Sequence, residues 1–370
     1  MNGPEIQHQI EQDLRRAVAR IVEVPRPDPL PGSPGLAMSA AQKAIRRGRK
    51  DLALRAAATL LRAAPDRLWR RLGCIAAEDV GLGDLEAVGI ATAAAAGVRK
   101  RADLGGDWPV ACAVVAALAD APKCRAADDL LMICELHPAY ARQRIEFRHR
   151  SSRELTEIVC GTMAIEERAV ALWCALGGGP RDVGLRRPRS ETQAVFDRLC
   201  DAGWSRTLVE VARASFNRTG EPLGPLLALL ARQPMEPSSI KPEDFPAEVA
   251  IDGTPGWALD AFTREGRAAF ARFLETDAGS ARWLRRYVSS SRRVAVLGHC
   301  VFRVEGGLVD RRLHWPLADQ LRAEVDAYCA GPGCRDVSEL LELVRADIPI
   351  LNEARAEVCG GQRQEVGWPG

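Results

Sequence analysis

Nucleotide chemistry is the first thing the charged residues could do, and it has a strict requirement. A phosphate cradle needs a lysine after glycine and before serine or threonine, so that backbone N–H groups and an ammonium surround the anion. The lysines are Lys43, Lys50, Lys100, Lys123 and Lys241, followed by Ala, Asp, Arg, Cys and Pro. None has that setting, and the run Gly177, Gly178, Gly179 follows no strand pattern. The sequence therefore predicts neither ATP binding nor hydrolysis. A zinc site needs four well-spaced ligands. Cys329 and Cys334 flank Gly331, Pro332 and Gly333, but no second pair follows, and Cys359 and His314 are isolated. Nucleophile–base catalysis needs a histidine with a serine or cysteine partner. His299 and Cys300 are chain neighbours and face apart on a helix or a strand, while His137 precedes Pro138 at a helix start; His8 and His149 complete the set. No metal, no cofactor and no catalytic constellation are expected.

Two acidic groupings remain. Glu78 and Asp79 could be paired carboxylates for acid–base work or metal binding. Arg71 lies seven residues before Glu78 and shares its helix face, and Arg46 or Arg70 could approach too. The expectation is an ion-pair network of Arg71, Glu78 and Asp79 that fixes helix packing. Asp260, Thr263, Arg264, Glu265 and Arg267 form a dense polar cluster. There Thr263 is expected to cap a helix with a charged first turn, and a phosphate-binding or catalytic cluster is the alternative.

The arginines carry more. Arg46, Arg47, Arg49 and Lys50 sit at one helix junction, and Arg99, Lys100 and Arg101 end another helix. Arg142, Arg144, Arg148 and Arg150 flank Phe147 and His149. Arg282, Arg285, Arg286, Arg292 and Arg293 accompany Trp283 and Tyr287. Arginine alternating with aromatics can hold phosphates and stack bases; solvated helix faces are the bland alternative. The candidates for nucleic acid are Arg46, Arg47, Arg49 and Lys50, with Arg282, Trp283, Arg285 and Arg286.

Helical periodicity positions these residues. Ile6, Ile10, Leu14, Val18 and Ile21 step by 4, 4, 4 and 3, an amphipathic helix over about 5–24. Pro25, Pro27, Pro29, Pro31 and Pro34 exclude helix and predict a stiff linker. Ser39 is expected to cap the next helix, Gly48 to close it and Asp51 to cap the one after. Pro65 and Asp66 suit the first turn of a third. That helix carries Leu68, Leu72, Ile75 and Ala76 on one face and ends at Gly81 or Gly83, where Asp84 can cap its successor. Helical pairs continue to about 232, broken by a basic loop over 181–189. The irregular stretch 233–256, with five prolines, is the best internal boundary. Helices are expected beyond it near 257–274, 278–290, 316–329 and 336–346. The run 292–315 fits both periods, and helix is expected there over a hairpin at Glu305, Gly306 and Gly307.

The dense block over 39–84 also resembles a family. Ser39, Lys43, Ile45, Arg46, Gly48, Asp51, Ala53 and Leu54, then Arg70, Arg71, Leu72, Glu78, Asp79, Val80, Gly81, Leu82 and Asp84, carry the likeness. They look like the start of the C-terminal oligomerisation (collar) region of the RarA/MgsA-type replication-associated recombination ATPases, clamp-loader relatives of the AAA class. The likeness fades by about Glu135 and covers roughly a quarter of the chain. In the family an ATPase domain precedes this region; here a short segment comes before it, and a chain without the ATPase domain is expected. The resemblance implies a homo-oligomer, a tetramer in the family, working beside a separately encoded replication or repair protein.

Composition agrees with close helix packing. The 370 residues are 47% hydrophobic but only 5% aromatic, so alanine and leucine dominate the core. The net charge of +2 provides no global field for nucleic acid, so any attraction to DNA, single- or double-stranded, must be local. The 11 cysteines are odd in number and most lie in apolar helical runs, which reads as free core thiols. No signal peptide or membrane span is visible, and a cytoplasmic protein is expected. The expected fold is all-α: an N-terminal helix and linker (1–35), a collar-like helical domain (36–150), further helical pairs (151–232), an irregular linker (233–256), a C-terminal helical domain (257–359) and a disordered tail (360–370). The expected role is a non-catalytic adaptor in genome maintenance. An enzyme with a site near Asp260–Arg267 and a helical scaffold unrelated to DNA are the alternatives.

Overall fold

Alanine, leucine and valine at helical spacing build an all-α protein. The computed structural model describes residues 3–179, 187–328 and 336–365, with twenty α-helices and two short two-stranded ribbons among them. Most of the expected basic loop, Cys329 and Cys334, and residues 366–370 lie outside the described residues. The chain forms two units, each assembled from separated segments. The first comprises Met1–Val24, Trp69–Lys241 and Arg312–Val325; the second comprises Pro25–Leu68, Pro242–Arg311 and Asp326–Gly370. Residues 36–150, expected as one domain, are thus divided at 68/69, while the irregular stretch 233–256 does hold a change of unit, at 241/242.

In the first unit the helix Gly3–Ala19 buries Ile6 and Leu14 and lies against Leu85–Ala95 and Asp107–Asp120. Leu85–Ala95 is buried through nine successive residues, Ala87 to Ala95, which only small side chains permit at this closeness. Asp84 accepts from the Ala87 N–H and caps it, as expected. The helix Pro65–Ile75 runs into a π-helical turn, Ala76–Val80, and a 3-10 turn, Gly81–Gly83. Gly81 has φ +51°, and a Cβ there would stand 2.5 Å from the Cys124 carbonyl oxygen. Glycine is therefore required for the turn to dock on 122–125, where the Cys124 N–H donates to the carbonyls of Asp79 and Val80. Ser239–Lys241 pairs antiparallel with Arg312–His314.

In the second unit Pro34–Arg46 and Lys50–Ala63 form an antiparallel hairpin turned by Gly48 at φ +65°. Ser33, not Ser39, caps the first of these: its Oγ accepts from the Leu36 N–H at 3.2 Å. Asp51, expected as the cap of the second helix, lies in its first turn, two residues past the N-cap Arg49. The proline-rich stretch is packed rather than free. The Leu30 N–H donates to the Arg55 carbonyl at 3.2 Å, and Thr59 Oγ1 donates to the Leu30 carbonyl at 2.7 Å. A second core gathers Phe270, Phe273, Leu284, Leu297, Leu340 and Leu351. The ambiguous run 292–315 resolves into a helix, Arg293–Val301, a π-helical turn, Phe302–Gly306, and then the strand Arg312–His314. Helix Ile348–Glu365 continues past 360, so the first part of the expected disordered tail is helical.

Candidate functional site

The carboxylates at 78 and 79 are held by a residue that sequence spacing does not point to. Arg125 is 2% exposed and pairs with Asp79, which is fully buried, and with Asp128. Its Nη1 also lies 3.5 Å from Glu78 Oε1. Burial alone would lower the Arg125 pKa, but the carboxylates of Asp128, Asp79 and Glu78 raise it instead. Arg71 does approach Glu78, at 3.8 Å, at the edge of this cluster. The expected network exists, therefore, with Arg125 at its centre. Arg46 belongs to the other unit, and Arg70 lies 3.8 Å from Glu221.

The Asp260 cluster divides into an inward and an outward half. Thr263 caps the helix Arg264–Phe273, its Oγ1 accepting from the Gly266 N–H at 3.0 Å. Asp260 is 7% exposed, accepts from the Phe262 N–H and pairs with Lys43. Lys43 Nζ also donates to Ser39 Oγ at 2.6 Å, and Ser39 Oγ donates to the Ala258 carbonyl at 2.8 Å. Burial pulls the Lys43 pKa down, and Asp260 opposes the shift. Arg264 and Arg267 point outward and are exposed. A crevice beside Trp257, Asp260, Phe262, Phe302 and Glu305 has a volume of about 10 Å3, room for about one water. Its lining side chains tie neighbouring segments together.

The first arginine cluster also faces inward. Arg46 is 2% exposed, donates to the Gly306 carbonyl at 2.7 Å and lies on the Phe302 ring at 5.1 Å. Arg47 is 9% exposed, donates to the Glu305 carbonyl at 3.0 Å and is sandwiched by Phe245 and Trp257. Burial pulls it down to about 10, against Glu305 and Glu248, and it stays charged at neutral pH. Glu305 in turn forms a two-pronged pair with fully buried Arg355, at 2.7 and 3.2 Å. Arg49 alone of the three arginines is exposed, and it pairs with Glu248 at 2.9 Å. Lys50 is half-buried at the start of its helix. These four therefore do not form one outward basic face, because two of the guanidinium groups turn into the unit.

The second cluster is partly outward. In the helix Gly279–Tyr287, Trp283 is buried and its Nε1–H donates to Glu339 at 3.2 Å. Arg285 donates to the carbonyls of Leu274 and Thr276 at 2.5 and 2.7 Å, and Arg293 to those of Val288 and Arg285. Arg282, Arg286, Tyr287 and Arg292 are exposed, with Arg282 reaching Asp277 at 3.1 Å. The aromatic residue that reaches solvent is thus Tyr287, four residues on from the expected Trp283. The helix period would not have found this, since Tyr287 stands three and four residues after buried Leu284 and Trp283, on their face, and is exposed at the last residue of the helix.

Compared with family models, curated proteins and solved structures, the chain matches none. Among the described residues no cluster of His, Cys, Asp and Glu is arranged to hold a metal ion, and no helix is long and apolar enough to cross a membrane.

Proposed function

We propose that this chain is a non-catalytic, self-associating adaptor that touches DNA in genome maintenance. The observation that carries the reading is the stretch 278–304. It has no aspartate or glutamate, and of its six arginines Arg282, Arg286 and Arg292 are exposed, while Arg285 and Arg293 donate to carbonyls and Arg303 pairs with Asp326. In a chain of net charge +2 this is a concentrated local attraction for a polyanion. The motif block supports the non-catalytic part: Lys43, Arg46 and Asp79 are buried and paired, which makes them ties between segments. Self-association, and a separately encoded replication or repair protein as partner, rest on the resemblance of residues 39–84 to the oligomerisation region described above.

The reading has two tests. Sedimentation at micromolar concentration should show a species larger than the 40.2 kDa monomer; a strict monomer defeats the self-associating part. Anisotropy with labelled DNA should show binding whose logarithm falls with log salt, by about 0.7 to 0.9 per phosphate contact. Binding indifferent to salt, or absent at low salt, defeats the DNA part.

A further inference from the structure

We propose that Phe262 is a stacking platform for unpaired nucleobases, so that the DNA this chain takes is engaged as a single strand. The inference rests on the DNA-association reading and specifies its ligand. Phe262 is 76% exposed, and among the described residues no other ring and no guanidinium group lies on its own ring. It stands on a fixed turn. Its N–H donates to Asp260 Oδ1 at 2.9 Å, and the N–H and the Oγ1–H of Thr263 both donate to the Asp260 carbonyl at 3.0 Å. Asp260 is in turn held by buried Lys43. The turn lies so close on the start of the helix Arg264–Phe273 that a Cβ at Gly266 would stand 2.0 Å from the Asp260 carbonyl oxygen. A ring carried in this way is ordered before any ligand arrives, so stacking on it costs little conformational entropy.

Positive charge is placed beside the ring. Arg264 and Arg267 follow Phe262 by two and five residues and are exposed, and among the described residues neither has a carboxylate within ion-pair reach. A contact locates Arg267: its Nη1–H donates at 3.3 Å to the carbonyl of Ala261, the residue before the ring. Glu265, between the two arginines, is half-buried and has its Oε2 buried. The turn also rests on the acid-free stretch 278–304. A Cβ at Gly298 would stand 2.9 Å from the Ala261 Cβ, and Phe262 borders the crevice together with Val301 and Phe302. A duplex conceals its base faces in the stack and presents phosphate alone to such a surface. A single strand offers a base face and a phosphate within one nucleotide, and so uses the ring and the arginines at once. A second copy paired on this turn about a two-fold axis would set Arg264 and Arg267 against their own counterparts, like charge on like.

The test uses the full chain and three labelled probes: an oligothymidylate, an abasic oligomer of the same length, and a duplex. The oligothymidylate should bind about 5- to 150-fold more tightly than the abasic oligomer, the gain from one stacked base. Phe262→Ala should erase that ratio while the thermal midpoint stays put, and Phe262→Trp should keep it. Arg264→Ser with Arg267→Ser should weaken the oligothymidylate and the abasic oligomer alike and flatten the salt slope, leaving their ratio unchanged. Equal binding of all three probes, unaltered by Phe262→Ala, would overturn the stacking inference and leave electrostatic DNA association standing. Loss of self-association in Phe262→Ala, with the ratio intact, would overturn it in favour of a second copy on the ring. Polyglutamate competing as well as the oligothymidylate would overturn it in favour of a protein partner. No binding of any probe at low salt would overturn both readings.

Discussion

Asp79 and Glu78 are neighbours with unequal roles, and burial decides which matters. Asp79 is fully buried against Arg125, whereas the Glu78 side chain is 13% exposed and 3.5 Å or more from its arginines. Removing one partner of a buried pair leaves the other charge uncompensated, at about 3–5 kcal/mol. Asp79→Asn should approach that loss in urea unfolding, and Glu78→Gln should cost no more than about 1–2 kcal/mol. Equal losses would mean that burial does not set the hierarchy. Lys43→Met should likewise destabilise by about 3–5 kcal/mol, and adding Asp260→Leu should restore much of it, since an apolar pair needs no compensation. No recovery in the double variant would argue against the pair being the cause.

The thiols carry a pH dependence at the same scale. Burial pushes Cys112 and Cys174 up to about 12, and Cys74 to about 11. Unfolded thiols ionise near 9, so between 9 and 12 the unfolded chain releases protons that the folded chain keeps. Stability should therefore be level below pH 9 and fall as pH rises through that window. Cys112→Ala with Cys174→Ala should show a shallower alkaline fall than the parent; an identical fall would remove these thiols as its source.

At the scale of elements, turns decide more than helices do. The π-helical turn Ala76–Val80 presents Asp79 to Arg125, and Gly81 lets the chain pass the Cys124 carbonyl. Gly81→Ala must accept both a positive φ and a Cβ clash with backbone, so a loss above about 3 kcal/mol is expected in chemical denaturation. Helix caps are milder. Ser33→Ala and Thr263→Ala should each cost about 1 kcal/mol. Ser39, placed by its spacing as a cap, sits inside a helix and reaches the Ala258 carbonyl, 219 residues away.

At the scale of the molecule, the chain order and the units do not coincide. A chain ending at 241 lacks 242–311 and 326–370, with which 25–68 forms the second unit, and lacks the 312–325 segment of the first. Such a fragment should melt broadly, and limited proteolysis should cut first within 25–68. A sharp, parent-like melt with 25–68 protected would show that these segments hold together without the rest.

Most of the helices, the caps at Asp84 and Thr263 and the all-α class were legible in the sequence. Each of these depends on residues three or four apart, a distance at which sequence and space are the same thing. Tertiary structure decided the rest. Arg125 meets Asp79 across 46 positions and Lys43 meets Asp260 across 217, and Ser239–Lys241 finds its strand partner at Arg312–His314. An arginine's type and its neighbours are the same whether it faces water, as Arg286 does, or lies buried, as Arg46 does. Which of them can reach a phosphate is settled only when distant helices supply, or fail to supply, carbonyls and carboxylates for each guanidinium.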